Sequence, residues 1–290
     1  MNRVKNLFGK GQAIFLLLPA AFLVTVISAF VVLNTFREGL GYLPELSMYA
    51  LDFSNYTDLF GNSVFLRSLA YSFYVAFVST ALCLMFGLML AYLLCRSKSS
   101  VLQAISRLPI VLSYIAAGLL LYTTLSDHGL LYHLLALCGI ETGGLNILFR
   151  PSGIGVILLN CFKGVPFLAM SITPVLSRIL DFYSAAAMNL GASKGQIGLR
   201  IIFPLIRRSA FTSALVLFNY QMFAYESFYY LGSSVPVSLG VFAYRSYQTS
   251  DLRNRAVCMA VNSIMIGISL VTSLIYVYVM RKDTVMHDAS

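Results

Sequence analysis

The chain has 290 residues, 59% of them hydrophobic and only 11% charged, with a mean hydropathy of +0.81. Soluble domains carry about 25% charged residues, so a water-soluble globular protein is excluded. The net charge of +9 is spread over loops between apolar runs. That pattern excludes a nucleic-acid-binding patch and points to orientation across a bilayer.

Met1–Lys10 is a basic leader carrying Arg3, Lys5 and Lys10. The charge-free run that follows, about 11–36, is far longer than the apolar core of a signal peptide and predicts a retained first span. Residues 37–67 read as a polar loop with Glu38, Glu45, Asp52 and Asp58. Further spans are predicted at about 68–95 and 108–126. Asp127 is read as the cap of a short interfacial helix, Leu130–Leu137. The fourth span, about 152–172, holds Lys163 near its middle with Pro166 three residues on. A polar loop, about 176–206, separates it from the fifth span at about 209–230, which contains Asn219, Gln221 and Glu226. The sixth span is expected at about 256–280. Continuous apolar runs of this kind exclude a β-barrel, whose strands alternate.

Six spans put both termini on one side. With the termini inside, thirteen Lys and Arg fall in inner segments and six in outer loops. The expectation is an all-α integral membrane protein forming a single transmembrane domain over 1–290. Its six helices would have cytoplasmic N and C termini and a cytoplasmic 176–206 loop.

Within that loop, Ser184–Pro204 reads as two short helical pieces joined at Gly191. Glycine permits a positive φ, Ser193 can cap the second piece, and Pro204 is expected to end it. The segment resembles the coupling motif of permease subunits of binding-protein-dependent ABC importers, E-A-A-x-x-x-G-x₉-I-x-L-P. Ala186, Ala187, Gly191, Ile201 and Pro204 match at the motif's spacing. Ala192, Ser193 and Gln196 often accompany it. Ala185 stands where the family has Glu, and Phe203 where it has Leu. The resemblance implies that this elbow docks on a cytoplasmic ATPase. Asp181, four residues before Ala185, shares its helix face and is expected to replace part of the missing charge.

The resemblance also implies two ATP-binding subunits, a second permease subunit of different sequence and an extracytoplasmic solute-binding protein. The setting it implies is the bacterial inner membrane. No cofactor is expected on this chain, with ATP and Mg carried by the partner subunits. The N-Y-x-x-L-F stretch at Asn55–Phe60 and R-P-S-G-I from Arg150 look most like the polyamine, phosphonate, sulfate and iron(III) branch. They rank a small charged solute over a sugar.

No Walker-type loop, H-E-x-x-H, paired-carboxylate helix or G-x-S-x-G is present, so no catalytic residue is assigned. The five cysteines are scattered without metal-like spacing, and no metal site is read. Ionisable residues at membrane depth cost roughly 2.5–3.5 kcal/mol at a helix centre. Lys163 and Glu226, with Asn219 and Gln221, are therefore candidates for the translocation path. A structural Lys163–Glu226 pair, or snorkelling of Glu226, remains the alternative for those two. The aromatic residues from Phe218 to Tyr230 fit an interfacial belt or, less simply, a cage for a cation. The rival classes are an ion-gradient-driven secondary transporter, which would show more embedded acids, and a non-transporting membrane scaffold.

Overall fold

A computed structural model describes residues 10–44, 48–49, 51–97, 99–127, 129–139, 147–189, 191–251 and 254–287. The described residues are helical almost throughout, as a bilayer demands of any spanning backbone. Among the described residues, five helices are long and apolar enough to cross a membrane, or six if one sharply bent pair crosses as a single span.

The chain divides into two units, Met1–Gly61 with Ala243–Gly267, and Asn62–Phe242 with Ile268–Ser290. In the first unit, α1 (Lys10–Gly39) exposes Leu18, Phe22, Phe30 and Leu33 along its length. Its end is different. Glu38 is 4% exposed and accepts from Arg255 Nε at 3.0 Å and from Asn34 Nδ2 at 2.6 Å. The segment predicted as a plain loop contains α2 (Ser54–Gly61). Asp52 starts it by accepting the Ser54 N–H at 3.0 Å, and the hydrogen bonds from Ser54 hold its carboxyl below the usual carboxylate range. Tyr56 of α2 is hydrogen-bonded to Ser263 at 2.8 Å, and a Cβ at Gly39 would lie 2.8 Å from the Tyr56 hydroxyl. Glycine is what lets these backbones close up.

The second unit is organised on α3 (Ser63–Ser97) and α7 (Ile154–Asn189). Small residues let them approach: a Cβ on Gly87 would sit 2.8 Å from Leu168 Cβ, and one on Gly164 2.6 Å from Cys83 Sγ. α9 (Phe203–Met222) packs Ala210 and Leu217 into the same core.

Several boundaries differ from those expected. α7 joins the fourth span to the first arm of the elbow in one 36-residue helix, running through Pro166 and Pro174. A proline inside a membrane helix is tolerated because neighbours and local adjustments satisfy the freed carbonyl. Pro204 likewise ends nothing. α8 (Lys194–Ile197) passes into a π-turn, Gly198–Ile202, and then into α9 with Pro204 in its first turn. The Phe203 N–H reaches Gly198 O, one residue further back than in an α-helix. The widened turn gives the proline ring room where an α-turn would press it against the Arg200 carbonyl.

The third span is broken. α4 (Ser100–Val111) and α5 (Tyr114–Leu125) meet at Leu112–Ser113, where the path bends by 102° before running on to Leu137. α6 spans Leu130–Leu137 as predicted, but Gly129 caps it rather than Asp127. The fifth span also stops early, at Met222. Phe223–Tyr225 is irregular, and α10 (Glu226–Leu231) follows. The break lies at a close tertiary contact. Gly240, in α11 (Leu239–Tyr247), lies so close that a Cβ would stand 3.2 Å from Phe223 O and 3.3 Å from Ala224 O. The last helix, α12 (Asn254–His287), runs past the predicted 280.

Candidate functional site

Two places concentrate the features that composition alone does not explain. The first is the elbow. Gly191 takes φ +82°, the left-handed value expected of it, and apart from its two chain neighbours no described atom lies within 4 Å of where a Cβ would stand. Ser193 and Gln196 then cap the second arm reciprocally. The Ser193 N–H donates to Gln196 Oε1 at 2.9 Å, and the Gln196 N–H to Ser193 Oγ at 3.4 Å. That is a capping box with Gln in the reciprocal position. Ile197 is buried and anchors the arm, whereas Gly191, Ser193, Gln196 and Pro204 are exposed and Ala192 and Ile201 half-buried. Phe182, Tyr183 and Phe203 are large apolar side chains left exposed around it. The side chains of Asp181, Ala185, Ala186 and Ala187, and all of Leu190, lie outside the described residues.

The second place is an open cavity of about 660 Å³ in the second unit, lined by residues of α5, α9 and α12 and by the break before α10. The polar side chains among its lining residues are Tyr114, Asn219, Tyr220, Tyr225, Glu226 and Ser269. Asn219 Oδ1 accepts from Ser269 Oγ at 3.3 Å and Thr272 Oγ1 at 3.1 Å. A smaller cavity of about 220 Å³ shares Val216 and Asn219 with the first and adds Thr272, Ser273 and Tyr276. Together they form a track of hydroxyls along α9 and α12.

The four path candidates separate on this geometry. Asn219 and Glu226 line the larger cavity. Gln221 does not; it is fully buried, accepts from Thr80 Oγ1 at 3.1 Å and packs against α3 and α7. Lys163 is held against the α4–α5 break. Its ammonium donates to Leu112 O and lies 4.5 Å from the centroid of the Tyr114 ring, a cation–π contact. Lys163 and Glu226 form no ion pair. The Tyr114 ring, in turn, meets the Tyr220 ring at 5.6 Å.

Sequence reasoning missed Tyr114, Ser269 and Thr272. The serine-capped start of α5 at Ser113 was the available signal for the first. The hydroxyls of α12 gave none, being scattered in an apolar run.

No family model matches the chain. It is 28% identical to the probable sulfate transport system permease protein of Marchantia polymorpha over 67% of each chain. The Chlorella vulgaris counterpart is 27% identical over 76% of this chain and 79% of its own. The sulfate transport system permease protein of a Synechocystis strain is 26% identical over 65% of each. Among solved structures, a bacterial ABC transporter involved in import of the acidic polysaccharide alginate aligns with a TM-score of 0.70, covering 92% of this chain and 94% of that one at 18% identity. The same kind of transporter in complex with an alginate-bound periplasmic protein aligns at 0.68, covering 92% and 91%.

The fold is that of an ABC importer permease. The recognition drawn from Ser184–Pro204 thus stands on two further grounds, relatives over two thirds of the sequence and a shared fold over nine tenths of it. The relatives are transport components, and the permease fold accounts for a multi-pass membrane chain without a catalytic motif.

Proposed function

We propose that this chain is the transmembrane subunit of an ATP-driven, binding-protein-dependent importer whose cargo is a small oxyanion of the sulfate class. The observation that carries the reading is the elbow. A left-handed glycine followed by a capped arm stands where the importer coupling motif predicts it, in a chain with the importer permease fold. Sulfate comes first in the polyamine, phosphonate, sulfate and iron(III) class because curated relatives are sulfate transport permeases.

On this reading the termini and the elbow face the cytoplasm of a bacterial cell. Two ATP-binding subunits carry ATP and Mg, and a second permease of different sequence completes the path. A heterodimer suits a chain with Ala185 in the glutamate position, because the partner would keep the full motif. Asp181 supplies part of the lost charge. Closure of the ATPase pair moves the elbow as a rigid arm and shifts the helices between inward-facing and outward-facing packings. ATP needs to favour one packing by only a few kcal/mol to do so. The cavities at Asn219 offer hydroxyl and amide donors of the kind that replace the water shell of an oxyanion.

One feature favours a second cargo. Glu226 with Tyr114, Tyr220 and Tyr225 suits a polyamine better than an anion. The test is uptake by cells lacking their own sulfate permeases but expressing the complete transporter. Radiolabelled sulfate should enter in an ATP-dependent, binding-protein-dependent manner. Accumulation of spermidine without sulfate would overturn the cargo assignment, and accumulation of neither would overturn the importer reading.

A further inference from the structure

The cavity presents a charge problem. Its lining contains one ionisable acid, Glu226, and no Lys or Arg. An oxyanion entering a partly desolvated space beside a carboxylate is repelled, and the repulsion grows as water is excluded. Among the described residues a cation, Lys163, stands against one aromatic ring of that lining. That ring, Tyr114, is both the cation–π partner of Lys163 and a wall of the cavity.

Lys163 is also incompletely satisfied. An ammonium has three N–H donors, and the hydrogen bond made here goes to a neutral acceptor, Leu112 O. That acceptor exists because the helix is broken. In an unbroken helix the Ala116 N–H would bond to Leu112 O, but it donates instead to Ser113 Oγ at 3.1 Å. The Leu112 carbonyl is freed by the bend, and Lys163 fills it. Lys163 is half-exposed and makes no ion pair among the described residues.

We propose that Lys163 is the residue that makes this path selective for an oxyanion, with the Leu112 carbonyl as its resting partner and the cargo as its competing one. This rests on the importer reading above. The anion offsets Glu226 by recruiting the ammonium past the Tyr114 ring. Occupancy thereby withdraws the donor that satisfies the break, and so biases the bend at Leu112–Ser113. One side chain then links the charge of the cargo to the geometry of a bent span.

The experiment measures sulfate uptake by the complete transporter for Lys163→Gln, Lys163→Arg and Glu226→Gln. In Lys163→Gln the loss is expected mainly in KM, by at least about tenfold, as for a removed binding interaction. Lys163→Arg keeps the charge and should stay within about threefold of wild type. Glu226→Gln removes the repulsion and should lower KM by about threefold or more. A purely structural staple would instead lower the amount of assembled transporter in both lysine variants and leave KM alone. Unchanged KM in Lys163→Gln overturns the proposal while wild-type uptake leaves the importer reading intact. Absence of sulfate uptake in the wild type overturns both. If Lys163→Gln does not assemble, Glu226→Gln decides, and an unchanged or raised KM there counts against the proposal.

Discussion

Gly191→Val should reduce uptake and cargo-stimulated ATP hydrolysis by about tenfold or more while the chain still inserts in the membrane. Apart from its two chain neighbours no described atom lies within 4 Å of the missing Cβ, so steric collision is not the cause. The cause is backbone strain. A β-branched residue at φ +82° is an outlier, and holding one there costs on the order of 1–3 kcal/mol. The chain would relieve that strain by rotating the second arm, and an arm at the wrong angle cannot seat on its partner. Gly191→Asn, which tolerates the left-handed region, should do much less harm. Paired uptake and ATPase measurements on the two variants check this, and normal coupling in Gly191→Val would remove the elbow from the mechanism.

The second large effect is expected at the clasp of the first unit. Glu38 is 4% exposed and paired with Arg255 across 217 residues of sequence. Arg255→Met leaves a buried carboxylate with, among the described residues, only Asn34 to satisfy it. Removing one partner of a fully buried ion pair destabilises by about 3–5 kcal/mol, and the one-third exposure of Arg255 puts the loss here below that. The variant should melt well below wild type in detergent and be more readily cleaved by protease. The double variant Glu38→Gln, Arg255→Met should recover much of the loss, because no buried charge remains. A single variant as stable as wild type would show that water reaches the carboxylate.

What the sequence disclosed here follows from the range of each interaction. The capping box at Ser193–Gln196 and the positive φ at Gly191 are local, and both were readable residue by residue. The apolar runs located the spans because the bilayer imposes their length. Their interruptions were not readable from prolines. Pro166, Pro174 and Pro204 all lie within continuous helical paths, while the bends at Leu112–Ser113 and Phe223–Tyr225 contain no proline. Each interruption sits against a partner distant in sequence, Lys163 at one and Gly240 at the other. The same limit applies to the polar residues of the fifth span. Asn219 and Gln221 are two positions apart and look alike as candidates, yet one faces a cavity and the other is buried against Thr80. The Glu38–Arg255 pair was invisible for the same reason, and its members read as ordinary loop charges.

On the proposed reading, an ATP-binding subunit docks on the Gly191 elbow. A photo-crosslinking residue at Gly195, where a side chain has open space, tests it most directly in membranes containing the whole transporter. The same probe at the exposed Thr249, on the side assigned to the exterior, is the control. The Gly195 probe should capture the ATP-binding subunit and the Thr249 probe should not. Capture of that subunit from Thr249, or from neither position with the transporter intact, would contradict it.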